Sequence, residues 1–144
     1  MGLNPSDVLR LAEAIGRKEG VYQHGTVPAR LNNPGDLLFA GQEGAVGVPV
    51  KGKDGKWRVF AEFSSLSKGW TGLVRQLAKF AQQGWNVRKA IETWAPPSDG
   101  NDTPQYLEDV CKWAEVLPET LLEDLFVPIP SVPFVAKRPV FKTN

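Results

Sequence analysis

Apolar positions recur along this chain at two spacings, and the switches between them mark out its elements. Val8, Leu11, Ala12 and Ile15 follow the i, i+3, i+4, i+7 rule of one helical face, which predicts a helix from about Pro5 to Glu19. Asn4 is the expected cap, Pro5 suits a first turn, and Asp7 sits where the helix dipole favours negative charge. Residues 20–36 lose the periodicity. Three glycines, two prolines and the pair Asn32, Asn33 predict a long ordered loop there. From Leu37 the spacing becomes two, in the short strands LLFA, AVGVPV and WRVFAEF, with Asp54 and Gly55 turning between the last two. In WRVFAEF the alternation places Trp57, Val59, Ala61 and Phe63 on one face. A small antiparallel sheet is therefore expected within residues 37–63.

The helical spacing returns after Ser64 or Ser65, either of which can cap. Leu66, Trp70, Leu73, Val74, Leu77, Phe80 and Ala81 form an apolar stripe up to Gly84, which predicts the core helix of the fold. Asn86 caps a shorter helix carrying Val87, Ala90, Ile91 and Trp94, stopped by Pro96 and Pro97. Thr103 and Pro104 open a helix whose face holds Tyr106, Leu107, Val110, Trp113, Ala114 and Leu117, and Pro118 is expected to start a last one reaching about Phe126. Residues 127–144 contain four prolines and predict an extended tail that can be removed from residue 131 onward without loss of fold or activity. The whole reads as α+β, mostly helical with a small antiparallel sheet after the first helix, forming one domain over residues 1–126. Leu11, Ile15, Trp70, Leu73, Leu77, Ile91, Val110 and Trp113 are its expected core.

Composition adds bounds. A chain of 144 residues, 42% hydrophobic and 23% charged, suits one compact domain. With 17 basic and 16 acidic residues and no basic run, neither nucleic acid nor an anionic membrane is indicated as partner. The single Cys111 cannot pair internally, and no Cys or His cluster offers a metal site, so no metal and no cofactor is expected. No basic leader and no span of about 20 apolar residues is present, which predicts synthesis in the cytoplasm without a signal peptide.

The candidate chemistry begins at Glu19. It occupies the next place on the apolar stripe of the first helix, and Gly20 follows in the position of a left-handed helix cap. Partial burial and the negative end of the helix dipole both disfavour an ionised carboxyl, so Glu19 is a candidate general acid; the plainer reading is a solvated residue at a fraying end. Asn32 and Asn33 suit a turn as well as hydrogen bonding to a ligand, and Arg30 can tie the loop down. Trp94 reads as core, His24 as a solvated loop residue, and Cys111 as a packed thiol.

The segments AIGRKEG, ARLNNPGDL, FAEFSSLSKGW and WAPPSDGNDTPQY together resemble a phage and prophage family of virion-associated or lysis-associated muralytic proteins, distantly similar to soluble lytic transglycosylases. The resemblance spans about residues 10–115 and is most specific at Arg30–Gly35 and Trp94–Thr103. Asp36 stands where the family pattern calls for Asn, and Gly100 is an insertion. The resemblance implies a lysozyme-like fold and cleavage of the N-acetylmuramic acid to N-acetylglucosamine bond, with Glu19 as acid and base and an anhydro product. Alternatives are a hydrolytic lysozyme using Asp36 or Asp102 as second carboxylate, and a non-catalytic virion protein that binds peptidoglycan. It also implies substrate contacts by Arg30, Asn32, Asn33, Asp36, Asp102, Thr103 and Tyr106, with Tyr106 equally readable as a core aromatic. Expected partners are peptidoglycan glycan strands and other virion proteins, and the expected place of action is the bacterial cell wall.

Overall fold

The computed structural model describes residues 6–126. Asn4, Pro5 and the proline-rich tail lie outside the described residues. The protein is α+β, with about half of the described residues helical and one two-stranded antiparallel sheet. In chain order the elements are α1 (Ser6–Glu19), α2 (Val27–Arg30), β1 (Ala45–Lys51), β2 (Trp57–Phe63), α3 (Leu66–Gln82), α4 (Val87–Trp94), a 3-10 turn (Pro97–Asp99), α5 (Thr103–Ala114) and α6 (Leu122–Leu125). The described residues fall into two compact units: Ile15–Val74 form one, and those up to Ala14 with those from Arg75 to Phe126 form the other.

In the Ile15–Val74 unit, β1 and β2 form a hairpin in register Ala45 with Phe63 through Lys51 with Trp57. The turn follows the expected chemistry. Gly52 N–H donates to the Lys56 carbonyl (2.8 Å), Lys56 N–H to Asp54 Oδ1 (3.0 Å), and Arg58 pairs with Asp54 Oδ2 (2.9 Å). Of the four residues that share one face of β2, Ala61 and Phe63 are buried, whereas Trp57 and Val59 are exposed. LLFA is not a strand but a single bridge from Leu38 to Phe60, flanked by Phe39 N–H to the Val59 carbonyl and Ala61 N–H to the Leu37 carbonyl.

The open edge of β2 is completed by one backbone carbonyl and two asparagine side chains where that third strand stops. Phe63 N–H donates to the Leu31 carbonyl (2.9 Å), Asn32 Nδ2 donates to the Phe63 carbonyl (3.2 Å), and Asn33 Nδ2 to the Ala61 carbonyl (2.8 Å). The loop before the sheet thus occupies an edge that is otherwise open to another strand. It also contains α2, a helical turn absent from the expected loop. Thr26 caps it, accepting from Ala29 N–H (3.2 Å), and Pro28 fits its first turn.

Ser65 starts α3, its Oγ accepting from Lys68 N–H (3.1 Å). Two glycines inside this helix let the rest of the unit approach. A side chain at Gly69 would collide with the Asn32 carbonyl, and one at Gly72 would meet the Phe63 ring at 2.6 Å. Glycine in a helix interior costs roughly 1 kcal/mol against alanine, and close packing offsets it here. Gly69→Ala, a change that favours helix in itself, is expected at this buried position to destabilise by about 3 kcal/mol, the upper end of overpacking, since the obstacle is backbone. Chemical denaturation of the variant checks this; an unchanged midpoint contradicts it.

In the other unit, Leu77, Val87, Ile91, Val110, Leu122 and Leu125 are fully buried, and Phe80 stacks on Trp85 with ring centroids 4.6 Å apart. Arg10 pairs with buried Asp7 (2.8 Å) and donates from Nε to the Ala114 carbonyl (3.3 Å). Asn86 caps α4 as expected, accepting from Lys89 N–H (2.8 Å). Pro118 does not begin a helix. Residues 118–121 run back to α4, whose orphan donors they satisfy: Val87 N–H to the Thr120 carbonyl (2.9 Å) and Arg88 N–H to the Pro118 carbonyl (2.8 Å). Among the described residues beyond them, the four of α6 are helical. Leu117 follows the left-handed Glu115 that ends α5 and is exposed, not part of the α5 face. Of the eight expected core residues, Leu11, Ile15, Leu73, Leu77, Ile91 and Val110 are buried, while Trp70 and Trp113 are half-buried.

Candidate functional site

Glu19 is the last residue of α1 and is half-buried. The helix stops there because Gly20 takes a left-handed backbone (φ +93°), and both Gly20 and Val21 N–H donate to the Gly16 carbonyl. Thr26 holds the next turn. Its hydroxyl donates to the Gly20 carbonyl (2.7 Å), with the Gln23 carbonyl also in reach (3.0 Å). The residue beside Glu19 is therefore fixed by the same side chain that caps α2. Thr26 ahead of Val-Pro is a cap signal readable in the sequence, unlike the meeting of the loop with β2.

An aromatic surface borders this helix end. The Trp70 ring lies against Gly16, where a Cβ would meet it at 2.5 Å, and Gly16 is one turn before Glu19 on the same helix face. Tyr22, exposed, is tilted against Trp70 with centroids 6.4 Å apart. Neither ring is legible from spacing as part of a site, because their meeting depends on α3 packing against α1 within the unit.

Asp36 ends the same loop. It has a left-handed backbone (φ +52°), and among the described residues its buried Oδ1 has no hydrogen-bond partner. Burial pushes its carboxyl from 3.8 up to about 6. The native state therefore binds the proton more tightly than the unfolded chain. The benefit is complete below 3.8 and is lost as pH rises through about 6, where the charged form must be kept buried. At about 1.4 kcal/mol for each tenfold change in proton affinity, that strain reaches about 3 kcal/mol. Asp36→Asn, which tolerates the same backbone, is expected to stabilise by up to about 3 kcal/mol at pH 8 and by almost nothing at pH 4. Urea melts at both pH values check this, and a pH-independent difference contradicts it.

Asn33 is fully buried, and both ends of its amide are committed to backbone: Nδ2 to the Leu37 and Ala61 carbonyls, Oδ1 to Leu37 N–H. Asn32, half-buried, keeps a left-handed backbone (φ +53°) and spends Nδ2 on Phe63. The paired asparagines thus build the loop. Arg30 is exposed at the end of α2, and His24 is exposed in the loop.

The remaining expected contacts belong to the other unit. Asp102 is the cap of α5, accepting from Gln105 N–H (3.2 Å), and Thr103 donates its hydroxyl to the Ala95 carbonyl (2.6 Å) from a buried position. Tyr106 is buried, Trp94 is half-buried with its ring nearly perpendicular to that of Phe80, and Cys111 is buried, which pushes its thiol up and away from a reactive thiolate. Among the described residues no group of three or more His, Cys, Asp and Glu side chains could hold a metal ion, and no helix is long and apolar enough to cross a membrane. Comparison with protein-family profiles, curated proteins and solved structures found no match to this chain.

Proposed function

We propose that this protein degrades peptidoglycan, cleaving the β-1,4 bond between N-acetylmuramic acid and N-acetylglucosamine with Glu19 as acid and base, on a lysozyme-like fold. The observation that carries the reading is the setting of Glu19: a half-buried carboxyl closing a helix onto a loop fixed by Thr26, beside the exposed Tyr22 and the Trp70 ring. A carboxyl so held is pre-organised for proton transfer, and an aromatic surface next to it suits the apolar face of a sugar ring.

In the transglycosylase version the Glu19 proton passes to the glycosidic oxygen as the C1–O bond breaks, and the substrate's N-acetyl oxygen stabilises the cation at C1. The muramic 6-hydroxyl then attacks C1 and returns its proton to the Glu19 carboxylate. One carboxyl serves both steps, and the product ends in 1,6-anhydromuramic acid. Asp36 favours a second version, in which its ionised form activates water, or attacks C1 to form a glycosyl ester that water then hydrolyses, giving a reducing end in either case. With a carboxyl at about 6, that version requires activity to rise as pH passes about 6, and Asp36→Asn to remove the rise. The resemblance of the sequence to transglycosylase relatives supports the anhydro product. Mass spectrometry of fragments released from purified peptidoglycan tests the proposal: anhydro ends support the first version, reducing ends the second, and no soluble fragments refute both.

A further inference from the structure

The β1–β2 hairpin leaves apolar side chains uncovered on both of its faces. One face carries Trp57 (65% exposed) and Val59 (49%), with exposed Pro49 of β1 opposite Val59 and Phe39 packed over Gly47. The opposite face carries Val46 (60%) and Leu38 (54%), with Val48, Val50 and Phe60 half-covered. Burial begins only at Ala61 and Phe63, at the base. A two-stranded ribbon of this kind is marginal in water, and scattered exposure does not explain apolar residues concentrated on both sides of one element.

Charge is segregated along the same hairpin. Lys51, Lys53 and Lys56 are exposed at the tip, where Asp54 is already engaged by Arg58, whereas Glu43 and Glu62 lie toward the base. The net charge of +1 over the whole chain conceals this cationic tip. We propose that the hairpin is a peripheral docking element for an anionic phospholipid surface, entering tip first. A second protein surface or a stacked sugar covers one face of a ribbon, but a lipid interface surrounds it and covers both. Trp57, at the end of the strand beside the turn, is placed for the headgroup boundary, and lysine stems run along apolar surface while their ammonium groups stay among phosphates. Three lysines near such a surface each contribute about fivefold to partitioning.

The full chain is to be mixed with phosphatidylcholine vesicles, with and without phosphatidylglycerol, and floated on a gradient. Co-flotation with the anionic vesicles alone is expected, falling as salt is raised. Replacing Lys51, Lys53 and Lys56 by glutamine should weaken it about a hundredfold, and W57S with V59S should abolish it, both with unchanged thermal melting because all five positions are exposed. Three results overturn the proposal. One is equal recovery with and without phosphatidylglycerol. Another is a dimer in sedimentation equilibrium that W57S dissociates, which makes a second copy the occupant. The third is W57S-sensitive binding to purified peptidoglycan without flotation, which makes it a glycan.

Discussion

Glu19→Gln is expected to abolish release of peptidoglycan fragments while leaving the melting temperature close to that of the unchanged protein. Glutamine keeps the size and hydrogen-bonding shape of the side chain at the end of α1 but cannot give up a proton to the glycosidic oxygen. General acid catalysis is worth about 10² to 10⁴-fold, and a site that uses one carboxyl for both steps should lose the upper figure or more. The position is half-buried and terminal in its helix, so the exchange leaves the packing of Leu11 and Ile15 untouched. Fragment release measured against time, with both proteins at matched folded concentration, decides the matter. An active Glu19→Gln protein sinks the transglycosylase and the lysozyme versions together, whereas an inactive Asp36→Asn protein with active-site folding intact moves the chemistry to the two-carboxyl version.

Asn33→Ala should be the most damaging single substitution to the fold. It removes three hydrogen bonds of 2.8–2.9 Å and leaves Leu37 N–H and the Ala61 carbonyl unpaired by the side chain that now serves them, inside a fully buried site. Buried backbone groups left unpaired cost about 1 to 3 kcal/mol each, so a loss of about 3 to 5 kcal/mol is expected, and the melting temperature should fall by roughly 10 to 20 °C. Asn32→Gly is the informative companion. It keeps the left-handed backbone and deletes one half-exposed bond of 3.2 Å, for a cost of about 1 kcal/mol. Equal losses from the two variants would show that Asn33 is not the pin of the loop.

Both predictions bear on the same segment, since the loop that Asn33 pins begins at the helix end that carries Glu19. A destabilised Asn33 variant should therefore lose activity in parallel with folded fraction, and Glu19→Gln should lose activity alone. That contrast separates a structural from a chemical contribution within residues 19–36.

The sequence determined those features whose cause is local. Apolar spacing located α1, the hairpin, α3, α4 and α5, and short-range side-chain chemistry located the Gly20 stop, the Asn86 cap and the Asp54 turn. Each depends on residues within about one turn or one hairpin of each other, and neighbours in sequence are then neighbours in space. It also brought Glu19 forward, because a carboxylate in an apolar stripe is anomalous whatever surrounds it. Only the tertiary structure decided what the loop does. LLFA is a bridge and not a strand because the asparagine amides donate to the β2 carbonyls that further strand residues would otherwise pair with. Residues 118–121 form a turn and a single bridge and not a helix because α4 needs carbonyls at its start. Asp36 is held at about 6 because the fold buries it without supplying a partner for Oδ1 among the described residues. The exposure of the hairpin faces follows from what does not pack on them, whereas alternation groups Trp57 and Val59 with Ala61 and Phe63 without saying which of the four are covered. Hydrogen-bond completion and burial are properties of segments tens of residues apart, so periodicity, which records only intervals along one element, does not contain them.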